Sequence, residues 1–488
     1  MRHPHSNRFL RLGAGLLLSL ALGLALLPGA TRTGAAAPFQ PTPCREGVAW
    51  RNGDPAFAAL PGAKAYSGQY AGGTYRVEVP DNWNGDLVLY AHGYAGEGDL
   101  VQVQNPPAAW RSHLIEQGFA WAASSYRCNG YVPGIGLQDT LLLAGMFHDI
   151  TGANLPGRTY LTGQSMGGHV TLLGMQEYPT AFAGALAMCP AGPTLFDYFA
   201  ANGAAAEIVT GLKFSSAEPS GTTLAKMLAQ MGTPPNYTAK GLQMASIMIG
   251  DSGGPRPFAL DGLAAYFSAT IFGAKLAGEP GLLTSAASNQ DWVYSIEPGL
   301  GITSDQLNSQ VRRAAGDPAY RGDASPYPEL RPFSGQIARP ILTMHSTGDM
   351  FVPIFLERDL RAAVEKAGKG DLLVQRIYRI PAHCQFSGDE MNRSWDDLIA
   401  WAKGGAKPTG DDVNAALASA GLTFTTPLRP GDPGSSGVMS RAPGPPATGT
   451  GTARDASGEA PLYAGGLAVL VLCTAVAGLG LGWSRRRQ

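Results

Sequence analysis

Short apolar blocks separated by turn residues mark the middle of the chain. Asp86–Ala91 reads "DLVLYA" and Phe119–Ser124 reads "FAWAAS". Thr159–Thr162 ("TYLT"), Ala185–Met188 ("ALAM"), Pro340–Met344 ("PILTM") and Val374–Ile380 ("VQRIYRI") continue the pattern. Most of these runs are nearly continuous in apolar residues rather than alternating. Parallel strands covered by helices on both faces have that character, because neither face meets water. Helical spacing fills the gaps over Ala108–Gln117, Gln138–Thr151, Met166–Tyr178, Phe355–Ala367 and Ser394–Lys403. Strand–helix alternation predicts an α/β sheet with right-handed crossovers.

One connection breaks the rhythm. Thr194–Ala338 spans about 145 residues between two predicted strands, far more than a structureless loop inside a domain sustains. It holds helical patterns of its own, Thr223–Met231 and Phe258–Ala277. The segment is therefore expected to be a helical cap inserted into the sheet domain. Met227/Met231 and Met244/Met248 stand at i,i+4 spacing. They read first as cap core, and second as an adaptable apolar wall over a pocket.

The two ends differ from the body. "MRHPHSNRFLRL", "GAGLLLSLALGLALL" and "PGATRTGAAA" follow one another as basic, apolar and small-residue parts, the layout of a secretory signal peptide. Cleavage is expected near Ala35 to Ala37. Leu462–Trp483 has 22 residues without charge, followed by "SRRRQ". That length crosses a bilayer, and the positive tail would stay inside. A removable sorting signal has the same layout. Arg429–Pro461 is rich in Pro, Gly, Ser and Thr and reads as a flexible stalk.

The expected division is a signal peptide over 1–37, a sheet core over 38–193 and 339–428, and a helical cap over 194–338. A linker over 429–461, a membrane or sorting segment over 462–483 and a basic tail over 484–488 complete it. The expected placement is export, with the chain held at the cell surface by its C-terminal segment or released if the tail is cleaved.

Composition narrows the class. Hydrophobic residues make up 44% and charged residues 15%, with a net charge of −1. A large core is available, and the concentrated basic face that nucleic acid needs is not expected. Of five cysteines, Cys44, Cys128, Cys189 and Cys384 lie in the body. Disulfides can form in an exported chain, and four cysteines allow three pairings. No pair has zinc-ligand spacing, so no metal is expected.

The chemistry centres on "YLTGQSMGGHV", residues 160–170. Gly163-Gln164-Ser165-Met166-Gly167 falls between a predicted strand and a predicted helix. Such a tight reversal forces the serine into a strained backbone conformation, and side chains two positions away would collide. The hydroxyl is thereby pushed out over the C-terminal edge of the sheet. A serine needs a base to take its proton, and the base needs a carboxylate to hold it.

The eight histidines can be sorted by position. His3 and His5 fall in the signal peptide, His92 in the "AHGYAGEG" loop ahead of the serine, His113 and His148 on predicted helices, and His169 one turn past the serine. In the chain order serine, acid, histidine, His345 and His383 remain. His345 reads as the end of a strand. His383, in "RIPAHCQF", follows the Val374–Ile380 strand and is the expected base. Asp349, in "HSTGDMFVP", follows the Pro340–Met344 strand and is the favoured acid, with Asp359, Asp371 and Asp389 as alternatives. An oxyanion needs N–H donors. Met166, directly after the serine, is the first. The second is expected from "AHGYAGEG", with Tyr94 ahead of Ala95; a plain tight turn is the alternative for that loop.

Through "AHGYAG", "GQSMGG", "HSTGDMFVP" and "PAHC", roughly residues 70–405 resemble the α/β-hydrolase superfamily. Tyr94 and the Gln-Ser-Met-Gly-Gly stretch are similar to bacterial cutinase-like polyester hydrolases, in which a tyrosine and the methionine after the serine supply the oxyanion N–H groups. The large insertion departs from those enzymes. With Cys384 after the histidine, it looks more like tannase and feruloyl-esterase enzymes. Those bridge that cysteine to one directly before the nucleophile; Gln164 stands there in this chain. The superfamily's strand order implies Cys44–Cys128 and Cys189–Cys384 as the pairs.

The resemblance implies an α/β-hydrolase fold, with a mostly parallel sheet and a large helical cap inserted before the strand carrying the acid. It implies a serine hydrolase of small-molecule or polymeric carboxylic esters that needs no cofactor. An amidase or peptidase with the same triad is the alternative, and its grip on a substrate amine would draw on Glu207, Glu218 or Asp251. A non-catalytic surface protein on this fold is the second alternative.

Overall fold

The computed structural model describes residues 39–426, apart from 55–56, 71, 215–219, 277–285 and 324. Eight strands form the central sheet. They are β1 (Ala63–Tyr70), β2 (Gly73–Pro80), β3 (Asp86–Ala91), β4 (Ala120–Ser124), β5 (Arg158–Gln164), β6 (Gly184–Met188), β7 (Ile341–Ser346) and β8 (Leu373–Tyr378). They lie side by side in the order β1-β2-β4-β3-β5-β6-β7-β8. The pairs β1–β2 and β2–β4 are antiparallel, and every later pair is parallel. β3, β4, β6, β7 and β8 are buried along their whole lengths and β5 over Tyr160–Gly163, which is why most of them read as apolar blocks.

The antiparallel pair at the edge was not foreshadowed by any such block. β1 is half-exposed and sets Ser67, Gly68 and Gln69 between two tyrosines. β2 carries Arg76 and the fully buried Glu78, whose carboxylate accepts from Arg111 Nε (2.8 Å) and Trp121 Nε1 (2.6 Å). A strand whose interior positions are charged and satisfied in this way leaves no apolar signature.

Five helices pack against the sheet: α1 (Ala108–Glu116), α2 (Pro133–Thr151), α3 (Met166–Glu177), α9 (Phe355–Lys366) and α10 (Gly388–Ala402). Two of them start earlier than the apolar spacing suggested. α2 opens on Pro133, whose missing N–H costs nothing in the first turn. α10 opens with a capping box, in which Ser387 Oγ and the Glu390 side chain each accept a backbone N–H of the first turn. The sheet is sealed on this side by aromatic edges. Phe119, Tyr160 and Trp110 surround the buried Trp395 at ring distances of 5.4, 5.6 and 5.6 Å.

Between β6 and β7 the chain forms α4 (Leu195–Thr210), α5 (Ser220–Met231), α6 (Ala239–Asp251), α7 (Ala259–Leu276) and α8 (Ser304–Gln310). These helices share a core of their own. Met227, Met231, Met244 and Met248 are fully buried in it, so all four methionines are core residues. Two disulfides, Cys44–Cys128 and Cys189–Cys384, are formed, with Cα separations of 6.0 and 5.5 Å. They are the pairs implied by the strand order.

The expected placement at a membrane surface is corrected. Among the described residues no helix is long and apolar enough to cross a membrane. The longest, α2, has 19 residues and carries Asp139, His148 and Asp149. The segments behind the expectation, residues 1–37 and 429–488, lie outside the described residues. Export and anchoring therefore have no support from the structure.

Candidate active site

The C-terminal ends of the parallel strands lie in register. Ala91 of β3 stands beside Gly163 of β5, Gln164 beside Met188 of β6, and Ser346 of β7 beside Tyr378 of β8. Every loop carrying a candidate residue leaves from this one edge.

Ser165 joins β5 to α3 at φ +60° and ψ −120°, a region that costs a non-glycine residue of order 1–3 kcal/mol. The surroundings hold it there. Its N–H donates to the Met188 carbonyl at 3.0 Å, and its carbonyl accepts from His169 and Ala191, each at 3.1 Å. The flanking glycines are steric necessities. A Cβ on Gly163 would collide with the carbonyls of Ala91 and Gly167, and a Cβ on Gly167 with that of Ala91. Gly93 packs on the same turn, its position for a Cβ lying 3.3 Å from Ser165 Cβ. The "AHGYAGEG" loop is thereby brought against the serine. Met166 begins α3, where first-turn N–H groups have no partner within the helix. Its sulfur accepts from the Val132 N–H at 3.2 Å, which pins the side chain. Tyr94 is half-buried and its hydroxyl donates to Glu97 Oε1 at 2.7 Å.

Asp349 is fully buried in the loop after β7. One carboxylate oxygen accepts the N–H groups of Phe351 (3.1 Å) and Val352 (2.9 Å); the other lies 2.5 Å from His383 Nδ1. The loop is tied to the histidine's approach by backbone bonds from Thr347 N–H to Tyr378 O (2.8 Å) and Gly348 N–H to Ile380 O (2.9 Å). Of the acid candidates, Asp349 is the one that meets His383. Asp359 instead accepts from Thr194 at 3.2 Å, and its carboxyl is raised by burial.

His92 lies in the loop against the serine turn, its Nδ1 2.6 Å from the Gly93 carbonyl and its ring stacked on Tyr126; four further histidines are occupied elsewhere. His113 pairs with Asp396 at 2.7 Å, and His148 lies 2.5 Å from the Ala153 carbonyl. His345 is the penultimate residue of β7, with Nε2 3.1 Å from the Val352 carbonyl. His169 is buried 2.9 Å from the Tyr131 hydroxyl, and burial pushes its imidazole down to about 3.

Cys384, next to His383, is bridged to Cys189 at the end of β6, and both adopt positive φ, +56° and +41°. The histidine loop is thus tied covalently to the point where the chain leaves the sheet for the cap. Their sulfurs lie with the His383 ring in a metal-like cluster, but a disulfide offers no thiolate.

Two neighbours of His383 gave no sequence signal. Tyr266 of α7 accepts the His383 backbone N–H on its hydroxyl at 3.2 Å, and its ring stacks on Phe351 at 5.8 Å. Phe351 in turn lies edge-on to the imidazole at 5.7 Å. Tyr266 sits in a stretch whose apolar spacing reads as ordinary helix core, and Phe351 lies beside the acid in "HSTGDMFVP" without a signal of its own.

The strand order, the serine turn after β5 and the helices inserted before the strand leading to Asp349 together make this the α/β-hydrolase fold. No protein-family profile matches the chain, and no curated protein matches it. Among solved structures, an esterase from Aspergillus oryzae is 15% identical with a TM-score of 0.38, over 69% of this chain and 78% of that one. Feruloyl esterase B from Aspergillus oryzae is 14% identical with a TM-score of 0.37, over 72% and 83%. An esterase from Pyrococcus furiosus is 12% identical with a TM-score of 0.37, over 76% and 100%. These are distant likenesses, and the fold assignment stands on this chain's own strand order.

Proposed function

We propose that the protein is a serine hydrolase of carboxylic esters, working through an acyl-enzyme. The observation that carries this reading is the strained Ser165 on the same sheet edge as the 2.5 Å His383–Asp349 pair. Ser165 Oγ attacks the ester carbonyl while His383 Nε2 takes its proton. Asp349 fixes the Nδ1–H tautomer of His383 and stabilises the imidazolium. The N–H groups of Met166 and Tyr94 hold the oxyanion; losing one such donor costs on the order of 100- to 1000-fold in rate. His383 returns the proton to the departing alkoxide. A water then gives its proton to His383 and attacks the acyl-enzyme, releasing the acid and restoring Ser165. The helices between β6 and β7 act as a cap that covers the acyl group.

The same machinery cleaves amides. Gripping a substrate amine would need a free carboxylate in the cap. Glu207 is paired with Arg312 through bonds of 3.1 Å. Asp251 is buried, and burial raises its carboxyl well above the usual range. Glu218 lies outside the described residues. The pairing of Glu207 and the burial of Asp251 weigh toward the ester reading.

The test is hydrolysis of p-nitrophenyl esters from acetate to long acyl chains, beside matched p-nitroanilides. Ester cleavage without anilide cleavage supports the esterase, and the chain-length profile sizes the acyl pocket. Anilide cleavage at comparable rates moves the assignment to an amidase or peptidase. A folded protein inert toward both, across acyl lengths, speaks for the non-catalytic alternative.

A further inference from the structure

Arg256 lies in the connection between α6 and α7 and is 1% exposed. Its donors go to neutral acceptors. Nε donates to the Thr347 carbonyl at 2.6 Å; Nη1 donates to Ser252 Oγ at 3.0 Å and the Gly254 carbonyl at 2.8 Å; Nη2 donates to the Asp349 carbonyl at 3.2 Å and Met350 Sδ at 3.4 Å. A buried guanidinium is ordinarily set against a carboxylate. This one is directed at the main chain of residues 347–350, the loop that aims Asp349 at His383. Burial lowers its pKa to about 10, with the charge of Asp349 opposing the fall, so it stays a cation at neutral pH.

Other cap contacts end on the same loop. Tyr198 Oη and Thr270 Oγ1 both donate to the Met350 carbonyl at 3.0 Å. The Met350 side chain is fully buried among the cap's own apolar residues. Gly262 of α7 approaches the Gly348 carbonyl so closely that a Cβ would overlap it. One helix thus serves both halves of the pair, since α7 also brings Tyr266 to the His383 backbone. Phe258, at the start of α7, holds φ +62°. A bulky residue keeps that conformation only where its surroundings over-determine it.

We propose that Arg256 is a positioning residue for the Asp349–His383 pair, which makes the cap part of the catalytic framework as well as a cover for the substrate. The activity readout of this proposal rests on the hydrolase reading above; its spectroscopic readout does not.

The test compares Arg256→Met and Arg256→Lys with the wild type in the full chain. Three quantities are measured: kcat and KM for p-nitrophenyl butyrate per folded molecule, the melting temperature, and the downfield proton resonance of His383 Nδ1–H. The resonance is assigned by its loss in His383→Gln. Arg256→Met is expected to lower kcat about 10- to 100-fold with KM within about threefold, as a small misplacement of a catalytic group does. The resonance is expected to shift or vanish. Arg256→Lys keeps the charge but has three donors on a point-like head, and is expected to fall between the two.

A purely structural arginine would lower the melting temperature and leave kcat and the resonance of the folded fraction alone. That outcome in Arg256→Met overturns the proposal. If Arg256→Met does not fold, Arg256→Lys decides, and wild-type kcat with a wild-type resonance overturns it. Full activity in Ser165→Ala would sink the hydrolase reading, while the resonance would still decide the role of Arg256.

Discussion

Replacing Asp349 by asparagine changes one atom of the side chain and reverses a hydrogen bond. Asp349 Oδ1 accepts from the N–H groups of Phe351 and Val352, and Oδ2 faces His383 Nδ1 at 2.5 Å. An asparagine keeps its oxygen for the two backbone donors, so the loop stays satisfied. Its –NH₂ then faces His383 and donates to Nδ1. The imidazole is forced into the tautomer with its proton on Nε2, where it cannot accept the proton of Ser165. The buried charge that stabilises the imidazolium is also lost. Together these changes are expected to lower kcat on the order of 10⁴-fold, or about 5.4 kcal/mol of transition-state stabilisation. The side-chain volume is unchanged, so the variant should fold. The assay is steady-state hydrolysis of p-nitrophenyl butyrate beside a thermal melt. A folded Asp349→Asn enzyme within tenfold of the wild type would refute the assignment of Asp349 as the acid.

Further outcomes follow from the same structure. The Cys189–Cys384 bridge closes a loop of 195 residues, worth about 5 kcal/mol in the chain-entropy account. Replacing both cysteines by alanine should lower the melting temperature and kcat together, whereas the Cys44/Cys128 double variant should lose stability without a comparable loss of kcat; equal kcat losses would contradict the link to His383. Trp395→Ala removes a fully buried indole from the helix–sheet core and should cost about 3–5 kcal/mol in denaturant unfolding. The folded pKa of His169, about 3, lies below the unfolded value of about 6.5. The unfolded state therefore takes up this proton first as pH falls. The stability this group contributes is complete above about pH 6.5 and is lost toward pH 3, with a slope of up to about 1.4 kcal/mol per pH unit. His169→Gln should show a shallower acid loss over that window in urea melts, and equal slopes would contradict the assignment. Gly167→Ala should abolish folding or activity, because its Cβ would collide with the Ala91 carbonyl; a soluble variant with wild-type kcat would show that the serine turn is looser than the structure has it.

The part of the fold that could be read from sequence is the part buried on both faces. Most of β3 to β8 are nearly continuous apolar runs because helices cover them, and their order along the chain places the serine, acid and histidine loops on one edge. β1 and β2 escaped because their polar residues are either exposed or paired, as Glu78 is with Arg111 and Trp121. Glycines two positions either side of Ser165 announced the strained turn, since only a crowded reversal requires both. The sequence also placed Asp349 and His383 just past strand ends, where the structure joins them. Arg256 and Tyr266 could not be found in the same way. The bonds that tie them to the acid and histidine loops go to main-chain atoms more than 90 residues away, and a bond to a distant backbone leaves no local pattern. The membrane placement rested on end segments alone, and no described helix bears it out.

The central claim is that Ser165 carries the acyl group. The most direct measurement is mass spectrometry of the protein acid-quenched during turnover of a slowly released p-nitrophenyl ester, with the modified peptide sequenced. The account predicts a mass increase equal to the acyl group on Ser165, growing in step with the burst of p-nitrophenol and absent in Ser165→Ala. Turnover with an unmodified Ser165, or the acyl group on another residue, would contradict it.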